Sequence, residues 1–174
     1  MKTANWIRLI SYGLILIPIQ VLVINNLELN RYMFPQIYIL LLLTLPVNIQ
    51  HWVSYLIAFV IGFTVDMFTY TPGLHAFTCV SVVFLRYVYF NNFVDKEWLS
   101  TGISPDFNTT DGIWLVVYVS IYSLFFHFIL LTLENFSFIH YGITLLKILY
   151  SSSLAIFLIL LLLFTFRART SDER

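Results

Sequence analysis

From Tyr141 to Phe166 a single charged residue, Lys147, interrupts an apolar run that closes on LAIFLILLLLFTF. The stretch Gly112–Leu133 carries no charged residue at all. A bilayer's hydrocarbon core is about 30 Å thick, and a helix needs roughly 20 mostly apolar residues to cross it. Both runs meet that length. In hydrocarbon the backbone must satisfy its own hydrogen bonds, so runs of this kind fold as helices.

Composition extends the conclusion to the whole chain. Of 174 residues, 60% are hydrophobic, 18% aromatic and only 10% charged, with a mean hydropathy of +0.87. An ordinary soluble domain is about 25% charged. Net charge is zero, and no basic run is long enough to track a phosphate backbone, so nucleic acid is not an expected partner. The partner that composition demands is the lipid bilayer.

Hydropathy places six spans, near residues 6–27, 33–45, 52–68, 74–90, 112–133 and 141–166, followed by a charged tail at 167–174. The expected fold is an all-α integral membrane protein with six transmembrane helices in one domain, residues 1–166. The first run follows Lys2 and Arg8 but precedes no small-x-small cleavage site, so it reads as a retained span. Span two is the short one, fenced by Pro35 and Pro46. It has three options: thinning the bilayer, continuing as irregular backbone shielded by protein, or failing to cross.

Basic residues orient the spans. With both termini cytoplasmic, Lys2, Arg8, Arg86, Lys96, Arg167, Arg169 and Arg174 lie inside, against Arg31 and Lys147 outside. That is the positive-inside bias expected of a multi-pass membrane protein. Trp6, Trp52 and Trp114 stand at span edges, where indoles prefer the headgroup level. The one sizeable loop, 91–111, falls on the cytoplasmic side.

Polar residues in the runs are the candidates for function. Asp66 is the sharpest, since an aspartate at mid-membrane costs about 2.5–3.5 kcal/mol. Gly62, four residues earlier, shares its helix face and allows a neighbouring helix to approach and shelter the carboxylate. Pro72 and Gly73 then force a turn, and His75 opens the next span. Asp66 either locks this turn or contacts a partner; a proton relay would need further acids at depth, and none is present. Arg86 is expected to snorkel to the inner surface. His127 reads as a packing histidine, and a Glu134–Lys147 pair is expected to pin the outer hairpin of spans five and six. Ser151, Ser152 and Ser153 can bond locally or to another helix.

Nothing points to catalysis. There is no GxSxG, HExxH or glycine-rich phosphate loop. His51, His75, His127 and His140 have no spacing suited to a metal on one helix, and the lone Cys79 reads as a small buried hydrophobe. No cofactor is expected.

The stretch FPQIYILLLLTLP, a short polar link, and then GFTVDMFTYTPGLHAF resembles the rod shape-determining protein MreD family. The matching positions are Pro35 before span two, the G-x-x-x-D of Gly62 and Asp66, the turn at Pro72 and Gly73, and His75. Length, span count and the charged tail are similar as well, while the diagnostic part is residues 34–77. The resemblance implies a non-enzymatic subunit of the bacterial cell-elongation machinery in the inner membrane. It implies an MreC-like bitopic partner, an MreB-like actin filament, and support of RodA and its penicillin-binding transpeptidase. It also implies a fold similar to the substrate-binding subunits of vitamin (ECF) transporters. A vitamin-uptake subunit is therefore the rival reading, and Gly13, without a small partner four residues away in span one, counts against it.

Overall fold

The computed structural model describes residues 3–26, 32–94, 105, 110–136 and 141–171; of residues 3–10, 26 and 166–171 only the backbone is described. The described residues form six α-helices and no strand. Helix α1 is Thr3–Pro18, continued by a π-helical stretch, Ile19–Val23, and a 3-10 turn, Ile24–Asn26. The change of winding falls at Pro18, which has no N–H to give to the preceding turn. Helix α2 is Ile39–Leu43, α3 is His51–Thr69, α4 is Leu74–Phe93, α5 is Gly112–Asn135 and α6 is Tyr141–Ser171.

Four helices are long and apolar enough to cross a membrane: His51–Thr69, Leu74–Phe93, Gly112–Asn135 and Tyr141–Thr165. Of the six expected spanning helices, these are the last four; the first run is helical from Thr3 to Asn26, and the second is the one that departs from expectation. Among the residues whose side chains are described, the apolar part of the N-terminal helix is Ser11–Val23. Helix α2 has five residues, about 7–8 Å of rise, which cannot cross hydrocarbon. The charged tail lies in and beyond the last turn of α6, and residues 172–174 are outside the described residues, as is most of the 91–111 loop.

Helices α3 and α4 pack as one hairpin and α5 and α6 as another, joined along α4 and α5. On α3 the buried face reads Ser54, Ala58, Gly62 and Asp66, small residues four apart that allow close backbone approach. On α5 it reads Leu115, Tyr118, Val119, Tyr122, Ser123, Phe126, His127, Leu130 and Leu131, a seam at three- and four-residue spacing. Outward faces are also apolar: Leu56, Phe59, Phe63, Phe84, Val117, Ile121 and Phe157 are all exposed. A surface this apolar is stable in lipid and not in water.

Residues 35–46 are buried throughout, with Tyr38, Ile39, Leu40, Leu42 and Leu45 fully enclosed. Span two is thus irregular backbone around one short helix, shielded by protein on every side. This segment is the centre of the molecule.

Candidate functional site

The elbow between α3 and α4 is built from the motif residues. Helix α3 ends on Tyr70 in the left-handed region (φ 56°), and Gly73 adopts φ 81° just before α4 begins. Gly73 is the N-cap of α4 and offers no side-chain cap. Asp66 supplies it from the preceding helix. Its Oδ1 accepts from the His75 N–H (3.0 Å) and the Thr71 hydroxyl (2.5 Å), and its Oδ2 accepts from the Ala76 N–H (2.8 Å). These are amides that a capping side chain normally serves, at the positive end of the helix dipole. The carboxylate is 4% exposed. Its approach depends on Gly62: a Cβ there would lie 2.5 Å from Ala76 Cα and 2.6 Å from the His75 carbonyl oxygen. Of the other motif residues, Pro72 is exposed and Pro35 is buried in the central segment.

His75 links the elbow to that segment. Tyr38 Oη lies 2.7 Å from His75 Nδ1, and the Cys79 Sγ donates to Tyr38 Oη over 3.9 Å. Tyr38 also meets Phe126 edge-on, with ring centroids 5.7 Å apart.

The remaining intramembrane polar residues converge on the same segment. Gln20, on the π-helical turn, accepts from the Ile37 N–H (2.8 Å) and donates to the Pro35 carbonyl (3.1 Å). His127 Nδ1 lies 2.8 Å from the Ser123 carbonyl and donates to it, leaving Nε2 to accept from the Gln36 N–H (3.3 Å). Ser151 accepts from the Phe34 N–H (2.9 Å). At the far end Tyr118 donates to the Leu43 carbonyl (3.1 Å), and Arg86 donates to the Leu45 carbonyl and to Tyr118 Oη. Each removes a backbone group that would otherwise stand unpaired in hydrocarbon, at several kcal/mol apiece.

Two expectations are corrected here. Arg86 does not snorkel; it is 4% exposed and turned inward to cap the end of α2. Lys147 does not pair with Glu134; its Nζ lies over the Phe34 ring, 5.5 Å from the centroid. Gln20, Tyr38 and Tyr118 were not singled out in the sequence. A lone glutamine in an apolar run was the available signal for the first, whereas the two tyrosines look like ordinary core aromatics.

Among the described residues, two hollows are lined by members of this network and a third lies apart from it. An outer cavity of about 510 Å³ is lined by Asn25, Gln36, Phe68, Thr71, His75 and Glu134, among others. A groove of about 810 Å³ runs between α4 and α5 past Phe77, Ser81, Phe84, Phe125 and Phe128. A small cavity of about 70 Å³ lies beside Arg86. Among the described residues no group of three or more His, Cys, Asp or Glu side chains is placed to hold a metal.

Fold and site together define a helical, multi-pass type of membrane protein whose buried polar groups support an irregular central segment. No family model, no curated protein and no solved structure matches the chain.

Proposed function

We propose that the chain is a non-enzymatic scaffold subunit of the bacterial cell-elongation machinery, resident in the inner membrane with both termini cytoplasmic. On this reading it holds an MreC-like bitopic protein by helix packing and works beside an MreB-like filament, RodA and its transpeptidase. Of residues 34–77, which carry the MreD resemblance, Gly62, Asp66, Gly73 and His75 build the elbow and Pro35 lies in the segment it braces. The six apolar stretches correspond to six membrane-embedded segments, as in the vitamin-transporter subunits, with the second embedded rather than spanning. The observation that carries the reading is the α4–α5 groove: aromatic walls flank the small Ser81, leaving a lipid-facing trough of about 810 Å³. In lipid, helices associate through such packing rather than through hydrophobic burial. Asp66 supports the groove through the fold and does not face a partner.

The test is co-purification from detergent-solubilised membranes with the MreC-like protein of the same cell. Ser81→Trp fills the trough and is expected to abolish recovery while the thermal midpoint stays within a few degrees. Undiminished recovery with Ser81→Trp would remove the groove from the account.

The outer cavity favours a second reading, a small-molecule-binding subunit of the vitamin-uptake type. Its volume of about 510 Å³ falls within the roughly 300–1,000 Å³ of ligand sites, and it mixes aromatic walls with Gln36, His75 and Glu134. Solute uptake that depends on this chain, with cell shape unchanged on its depletion, would place that reading first.

A further inference from the structure

Arg86 is a buried charge whose partners are all neutral. Nε donates to Tyr118 Oη at 2.8 Å, Nη2 donates to the Leu45 carbonyl, and the Phe90 ring centroid is 5.0 Å from Cζ. Among the described residues no carboxylate pairs with the guanidinium, and Nη1 has no hydrogen-bond partner. A cation within the hydrocarbon zone is ordinarily matched by a counter-charge.

The cavity of about 70 Å³ that Arg86 lines is equipped to receive one. His51, Ser54, Tyr87 and Asn91 share its wall, and among the described residues no carboxylate does. The Ser54 hydroxyl has no partner among the described residues. Helix α3 begins at His51; the Val53 and Ser54 N–H groups are given to the Gln50 carbonyl, which leaves those of His51 and Trp52 at the positive dipole end of the helix whose His51 and Ser54 line the cavity. The volume is far below the roughly 300–1,000 Å³ of a whole-ligand site, which restricts the occupant to a headgroup-sized anion. Trp52 is exposed at the same helix end, with its indole N–H on Gln50 Oε1 (2.9 Å), and an exposed indole marks the headgroup level.

We infer that this cavity is an oxyanion site in which Arg86 Nη1, the Ser54 hydroxyl and the α3 N-terminus bind the phosphate of an anionic phospholipid. The guanidinium fork suits a phosphate oxygen, and the acyl chains run outward along the exposed apolar faces of α3 and α4. Inorganic phosphate shares this chemistry and is the competing source.

The test is native mass spectrometry of the full-length protein in detergent, titrated separately with phosphatidylglycerol, diacylglycerol and inorganic phosphate. Phosphatidylglycerol is expected to bind at least about tenfold more tightly than diacylglycerol, which has the same acyl chains and no phosphate, the ratio that one charge-assisted hydrogen bond supports. His51→Glu, which changes an exposed side chain on the cavity wall, places a carboxylate beside Arg86 and is expected to erase that preference. Ser54→Asp repeats the test one turn further along α3, and an unchanged thermal midpoint in either variant shows that the fold is retained. Equal binding of the two lipids by the unaltered protein overturns the proposal, because the counter-charge then comes from the chain itself. A preference that survives both substitutions overturns it too, and binding of inorganic phosphate without a lipid preference overturns the lipid assignment.

Discussion

The α3–α4 hairpin buries one charge near each end and completes only one of them. Asp66, at the elbow, receives three donors within 3.0 Å, two of them backbone amides. Arg86, toward the opposite end, has neutral partners on two nitrogens and a cavity beside the third. A carboxylate wrapped in amides has become part of the covalent chain's own wiring. A guanidinium with a nitrogen to spare is a receptor. The same rarity in sequence, a lone ionisable residue in an apolar run, thus has two physical meanings, and only the partners of each atom separate them.

The largest effect is expected from Asp66→Ala, which strands the His75 and Ala76 amides and the Thr71 hydroxyl in a buried elbow. At about 1–3 kcal/mol for each unsatisfied group, the loss of stability should exceed about 3 kcal/mol. It would be read as a fall in the unfolding midpoint or in the yield of monodisperse protein. Gly62→Ala follows, at about 2–3 kcal/mol, since the added methyl meets backbone rather than a yielding side chain. If Gly62→Ala were neutral in an unfolding titration, close approach of α4 would not be what shelters the acid.

Arg86→Lys sharpens the other half of the comparison. It keeps the charge but loses the fork that reaches Tyr118 and Leu45 together, at about 1–2 kcal/mol. A loss as large as that of Asp66→Ala would mean that both charges are purely structural. The smallest effect carries the opposite sign. Tyr70 is 94% exposed and holds φ 56°, so Tyr70→Gly should stabilise the elbow by about 0.5–1 kcal/mol in the same titration.

What could be read in the sequence follows from what hydrocarbon forces. Length and apolarity located α3 through α6, because a chain crossing lipid has no alternative to a helix of that length. The Gly62–Asp66 spacing announced a sheltered acid, since i and i+4 share a face. Two things were not legible. Pro35 and Pro46 showed that span two is short, but not that Gln20, His127, Ser151, Tyr118 and Arg86 would each supply it with a hydrogen bond, as those partners lie up to 117 residues apart in the chain. The direction of Arg86 was misread for the same reason. Snorkelling is the default for an isolated arginine near a helix end, and only a nearby helix terminus with unpaired carbonyls turns it inward. Long-range satisfaction of backbone groups leaves no periodic trace.

Hydrogen exchange at the His75 and Ala76 amides, followed by NMR in lipid nanodiscs, tests the elbow most directly. Both amides should be protected in the unaltered protein and lose that protection selectively in Asp66→Ala, while amides in the middle of α4 remain slow. If the two amides exchange equally slowly with and without the carboxylate, Asp66 is not the cap of α4 and the division between a completed and an open charge does not hold.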